Sequence, residues 1–155
     1  VAHLLGTGPR GSAQHTWIAN TDADSEVSPG WLAGMLDEAA RGAQVVLGTV
    51  RPDHGLPPDV DAAWQQRHHR RDDHPHVHGA NFGIRADAYL ALGGWPLVPT
   101  GEDQALADRA RAAGNLHIVR TGRLPVRTSS RLDGRALLGF SSYLRALGTA
   151  DEGAA

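Results

Sequence analysis

The sequence predicts an α/β fold, a mixed and mostly parallel sheet flanked by helices. Three observations carry this. Short apolar runs near residues 15–21, 44–50, 81–85 and 116–120 are interleaved with stretches of helical period. The first two runs are joined by an acidic loop and one helix, a βαβ unit whose crossover implies parallel strands. The composition, 41% hydrophobic and 21% charged over 155 residues, is that of a single soluble globular domain able to bury a core.

Residues 1–14 are Gly-rich and irregular. His15 to Thr21 reads as a short buried strand that runs straight into Asp22-Ala23-Asp24-Ser25. Ser28 is placed to cap a helix with Pro29 at its first position. Trp31, Leu32, Met35, Leu36, Ala39 and Ala40 form its apolar stripe, and Gly42 stops it. Gln44 to Val50 is the second strand. Residues 51–60 are a Pro/Asp/Gly-rich loop, and Asp61 to about Arg71 reads as a polar helix. Arg67 to His78, crowded with Arg, His and Asp, reads as a mobile loop. Asn81–Arg85 is a short strand, Ala86–Leu92 a short helix, and Gly93-Gly94-Trp95-Pro96 a turn. A helix follows from Glu102 to Ala113, ended by Gly114, then a strand from Leu116 to Arg120. Residues 134–148 form a final amphipathic helix through Phe140, Tyr143, Leu144 and Leu147. One domain is expected over residues 1–150, with residues 151–155 a disordered tail.

Composition excludes several chemistries. There is no cysteine, so disulfides and thiolate metal sites are out, and a metal must be held by oxygen or imidazole. All 15 basic residues are Arg, which excludes a lysine Schiff base and a P-loop lysine. No apolar run reaches bilayer length, and residues 1–10 lack a basic segment followed by a long apolar core. The expected location is the cytoplasm. A net charge of −2 and 5% aromatics disfavour nucleic acid as a partner. Acids dominate residues 1–66, whereas Arg109 to Arg145 holds Arg almost alone against Asp133. A cleft between two such halves suits a divalent cation on one wall and phosphate on the other; a solvated basic face is the plainer alternative.

Four segments are candidates for chemistry. Asp22 and Asp24 end a strand, where open α/β sheets bind ligands, and two carboxylates one residue apart can chelate Mg²⁺ or Mn²⁺. The same residues also suit an Asx turn before a helix. Thr100 and Asp103 have capping-box spacing, and a helix N-terminus also keeps an aspartate ionised and able to accept a proton. His74-x-His76-x-His78 has the composition of a transition-metal site, but no acidic partner sits at a recognised ligand spacing, and a polar loop is the simpler account. Gly79-Ala80-Asn81-Phe82-Gly83 allows a close approach of either a ligand or a neighbouring strand.

The order of these motifs says more than any one of them. D-A-D-S, H-G-A-N-F-G-I-R, G-G-W-P, G-E-D-Q-A-L-A-D-R and T-S-S-R, over residues 14–145, resemble glycosyltransferase family 2. The resemblance implies a GT-A fold, a Rossmann-like nucleotide-binding sandwich, here partial. It implies metal-dependent, inverting transfer from a UDP- or GDP-sugar to a hydroxyl acceptor of unknown identity. Asp22 would lie near the ribose, and Asp24, with Asp22, would hold the cation. Asp103 would deprotonate the acceptor, and Glu102 would orient it. Trp95 would stack on a sugar face, while His78, Gly79 and Asn81 would line the donor or acceptor pocket. Arg131 would meet the leaving diphosphate, or else make a surface ion pair. Residues 67–78 fall where related enzymes carry a flap.

One departure stands out. Only about twenty residues precede Asp22, and no V-V-I-P-A-x-N-E strand is among them. The expectation is a chain lacking the segment that holds the base, with exposed sheet edges and self-association. The alternatives to catalysis are a remnant acting as a binding module and a small His-cluster metalloprotein.

Overall fold

The computed structural model describes residues 12–53, 55–68, 71–131 and 140–149. After a 3₁₀ turn at Ala13–His15, the described helices and strands are β1 (Trp17–Asn20), β2 (Ser25–Glu26), α1 (Trp31–Ala40), β3 (Val45–Pro52), α2 (Pro58–Arg67), β4 (Phe82–Arg85), α3 (Ala86–Ala91), α4 (Glu102–Ala113), β5 (Ile118–Thr128) and α5 (Phe140–Thr149). The tail at 151–155 and the predicted start of the last helix lie outside the described residues. Among the described residues, no helix is long and apolar enough to cross a membrane.

The strands form one five-stranded sheet in the order β1-β4-β3-β5-β2. The α/β class and the mixed sheet are as expected, but the parallel share is smaller. Among the described residues, only β3 and β5 pair in parallel; β1–β4, β3–β4 and β2–β5 are antiparallel. The βαβ inference is right about direction and wrong about adjacency, because β4 slots between β1 and β3. Strand β3 is buried from Val45 through Val50, as befits a strand covered on both faces. Val45 and Leu47 pack with Phe82, Ile84 and Leu106, Ala107 and Ala110 of α4. A second cluster joins Trp31 and Met35 of α1 to Val126. A third joins Val50, Val60, Trp64, Leu144 and Leu147, so α2 and α5 close one end of the sheet.

Two predicted caps are not used. Helix α1 starts at Trp31 behind Gly30, with no side-chain cap; Ser28 contributes only its carbonyl, 3.0 Å from the Trp31 nitrogen. Helix α4 has left-handed glycines at both ends, Gly101 (φ 76°) and Gly114 (φ 70°), and Thr100 caps nothing. With no capping box, the Asp103 carboxylate is available to reach across the cleft.

The β3–β5 ladder breaks between Gly48 and Val50, where the register with β5 jumps from Thr121 to Val126. Asn81 fills the break. Its amide nitrogen donates to Thr49 O and to Leu124 O, each at 2.7 Å, and its oxygen accepts from Trp31 Nε1 at 2.9 Å. Buried carbonyls left by a ladder break need such a partner. Gly48 has no side chain because the Asn81 amide occupies the space a Cβ would take. Gly83 is tight for a similar reason: a Cβ there would meet the Trp17 ring at 2.8 Å and Met35 Sδ at 2.9 Å.

Candidate functional site

A cleft of about 840 Å³ opens where β1 runs out into the Asp22–Asp24 turn. One wall is acidic, carrying Asp22, Asp24, Glu102 and Asp103. The lining also includes His68, His76, His78 and Tyr143, with Ser129 and Arg131 beside Asp24.

The turn itself is closed by main chain, with Ser25 N donating to Asp22 O at 3.1 Å, so it does not need the Asp22 carboxylate. The Asp22 carboxyl is pushed above the ordinary carboxylate range. Desolvation is the main cause, followed by the charges of Asp24, Asp103 and Glu102. Three acids thus act on a fourth, two of them from a distant stretch of the chain.

β2 is two residues long, yet it joins two of the motifs. Ser25 pairs with Thr128 and Glu26 with Arg127, which lays T-S-S-R beside D-A-D-S. Ser25 Oγ donates to Thr128 Oγ1 at 2.8 Å, and Ser129 N donates to Asp24 O at 3.2 Å. Arg131 Nη2 then reaches Asp24 Oδ2 at 2.8 Å, and its Nε donates to Ser129 Oγ at 3.1 Å. Asp53 Oδ1 accepts the Ser130 N–H at 2.9 Å and supports the same segment from β3's end.

Asp103 is tied to the end of β1, just ahead of the Asp22–Asp24 turn, through a single residue. Gly79 N donates to Asp103 Oδ2 at 2.8 Å, while Asn20 Nδ2, at the end of β1, donates to Gly79 O at 2.6 Å. The other Asp103 oxygen accepts Gln104 N at 2.8 Å. Asn20 is a site residue that sequence reasoning misses; a polar residue closing an apolar strand beside D-x-D is the available signal.

Not every expected residue reaches the cleft. Asn81 sits behind the wall, fully buried, with its amide spent on Trp31, Thr49 and Leu124. Trp95 packs edge-on to Phe82 at 5.2 Å in the core layer, with its main-chain nitrogen donating to Tyr89 Oη at 3.2 Å. His78 is in the cleft, and burial, then His76, His68 and His74, holds its imidazole down to about 3, so it is neutral at neutral pH.

The segment expected as a mobile loop is fastened to the sheet. Arg120 Nη1 donates to His74 O and to His76 O, each at 3.1 Å. Gly122 N donates to Asp72 Oδ1 at 3.2 Å, Asp73 N donates to Arg120 O at 3.3 Å, and buried His74 meets Leu47 O through Nε2 at 3.2 Å. The histidines stack rather than converge: the His74–His76 and His76–His78 ring centroids are 6.0 Å and 5.9 Å apart. Among the described residues, no three His, Asp or Glu form a ready metal cage.

A hard divalent cation nonetheless fits the acidic turn. Asp22 and Asp24 offer only oxygen, and the like charges raising Asp22 mark a surplus of negative charge that a cation relieves. Its remaining ligands would be ligand oxygens and water, as is usual for Mg²⁺.

Residues 11–92 match the family model described as Glycosyl transferase family 2. The match covers just over half of the chain and includes Asp22, Asp24, His78, Gly79 and Asn81. No curated protein matches the chain.

Proposed function

Because the chain belongs to glycosyl transferase family 2, we propose that it transfers a sugar from a nucleotide-diphospho-sugar to an acceptor hydroxyl with inversion, using Mn²⁺ or Mg²⁺. The observation that carries this reading is the convergence of Asp22, Asp24, Glu102 and Asp103 on one cleft. Asp22 and Asp24 would hold the cation, which when bound neutralises the diphosphate of a UDP- or GDP-sugar. Asp103 takes the proton of the acceptor hydroxyl as that oxygen bonds to the anomeric carbon. The bond from that carbon to the diphosphate oxygen breaks on the opposite face, and the nucleoside diphosphate leaves. The Gly79 N–H on Oδ2 orients the Asp103 carboxylate for this. Glu102 positions the acceptor, and Arg131 turns from Asp24 to the leaving diphosphate.

Calorimetry with UDP- and GDP-glucose in the presence of Mn²⁺ tests this. Metal-dependent binding lost in Asp22→Asn is the expected result. Failure of both nucleotides to bind would leave the binding-module alternative. Analytical ultracentrifugation tests the accompanying expectation, self-association through the sheet edge at β1.

A further inference from the structure

The geometry points to an acceptor-sugar subsite in the same cleft as the carboxylates, in which His76, His78 and Tyr143 take a pyranose ring. This rests on the transfer reaction proposed above. The wall is a ladder of rings. Trp64 and His68 stack at 3.5 Å with their planes 2° apart, His76 stacks on His68 at 4.5 Å, and His78 follows at 5.9 Å. Tyr143 stands across the ladder, 5.4 Å from His68 at 79°. The result is a right-angled aromatic corner whose back is Trp64, itself buried in the α2–α5 cluster.

Such a corner is ordered. Arg120 holds the backbone of the ladder from β5, and Trp64 holds its far end. Its chemistry is distinct from that of the acidic wall. Burial is the main cause holding the imidazoles of His68, His76 and His78 below their ordinary value, to about 4 for His68 and about 3 for His78. The charges of Arg67 on His68, and of Arg120 and Arg71 on His76, add to this more weakly in the same direction. His68 is sandwiched between Trp64 and His76, so His76, His78 and Tyr143 are the rings left to meet the C–H face of a sugar, and the ring nitrogens, the Tyr143 hydroxyl and Ser141 supply polar edges for its hydroxyls. Tyr143 is 40% exposed, so the corner is open to a ligand. It also joins the acidic wall directly: His78 precedes Gly79, whose N–H meets Asp103. A sugar ring at the His78 end of the ladder therefore lies next to the proposed base.

The test is a titration of the whole chain with methyl glucoside, methyl galactoside and methyl mannoside, read by the histidine and tyrosine ring resonances. At least one glycoside should shift the signals of His76, His78 and Tyr143. Tyr143→Ala should weaken binding roughly two- to tenfold, the range expected for one lost ring contact. His76→Ala gives a second, independent reading should Tyr143→Ala perturb α5. The Asp22→Asn, Asp24→Asn double variant should lose Mg²⁺–UDP yet keep the glycoside shifts, which separates failure of the subsite from failure of the transfer reading. Glycoside shifts should also survive saturation with Mg²⁺ and UDP-glucose. Displacement by UDP-glucose would assign the corner to the donor sugar and overturn the proposal. Binding of phenol with no glycoside binding, or no response to any glycoside, would overturn it too.

Discussion

The Asp103 carboxylate accepts the main-chain N–H of Gly79 at 2.8 Å, across 24 residues of sequence. An asparagine oxygen can keep this bond, at the loss of the one that the other Asp103 oxygen accepts from the exposed Gln104 N. Asp103→Asn should therefore keep the cleft geometry while removing the proton acceptor. In a preparation that turns over, the transfer rate should fall by about 10²–10⁴, the usual worth of a positioned base. Donor affinity should stay within about twofold. A steady-state comparison of kcat with the donor Kd checks this, and an unchanged kcat would remove Asp103 from the reaction.

The proposed divalent cation would compete with Arg131 for Asp24 Oδ2. The ion pair is 2.8 Å long, with the side chains 68% and 46% exposed, so its net worth is small, at most about 1 kcal/mol. Arg131→Met should accordingly tighten binding of Mn²⁺ alone, by no more than about fivefold. With a nucleoside diphosphate present the sign should reverse, because the guanidinium then has phosphate to meet. Paramagnetic titration of Mn²⁺ with and without UDP distinguishes the two. Weaker Mn²⁺ binding in both states would show that Arg131 organises the turn and does not compete for it.

Asp22 makes the site costly to fold. Its carboxyl titrates above the ordinary range, first through desolvation and then through Asp24, Asp103 and Glu102. The unfolded chain gives up this proton more readily than the folded one, so between the two pKa values the folded state loses ground as pH rises. The penalty is complete above the folded pKa and vanishes below the unfolded one. Asp22→Asn should raise Tm at neutral pH, and the gain should shrink as pH falls through the carboxylate range. Mn²⁺ should stabilise the parent chain and not the variant. Thermal melts at neutral pH and in the carboxylate range check both, and a pH-independent difference would exclude electrostatics as its source.

How far the fold could be read from sequence depended on range. Glu102–Ala113 is a helix as expected because Gly101 and Gly114 mark both ends locally. The expected strand at Leu116–Arg120 runs instead through Ile118–Thr128. Its continuation past Gly122 and Pro125 depends on pairing with β3 and β2, which no local pattern encodes. The same limit separates two kinds of site residue. Asp22, Asp24, Glu102 and Asp103 sit at element ends, and their side chains share the cleft. Asn81 carries a ligand-like amide, but only the register break in β3 determines that the amide is spent inside. Trp95 likewise looks like a stacking platform until Phe82 is placed against it. The ladder of His68, His76 and His78 is visible in the sequence as composition alone, since its order comes from Trp64 and Arg120, on other elements.

Asn81 and Gly48 form a matched pair in the middle of the sheet. Asn81 satisfies Thr49 O, Leu124 O and Trp31 Nε1 from a fully buried position. Each partner left unsatisfied costs about 1–3 kcal/mol, so Asn81→Ala should destabilise the chain by about 3 kcal/mol or more. Gly48→Ala acts on the same space from the other side, because its methyl would overlap the Asn81 amide, whose three bonds leave it nowhere to go. Each single variant should therefore unfold at lower urea. The double variant should be less unstable than the sum of the two, since the methyl added at position 48 then fills the volume that Asn81 vacates. Urea melts of the four chains give the coupling energy. Strict additivity would mean that Gly48 is required by β3 itself and not by the amide beside it.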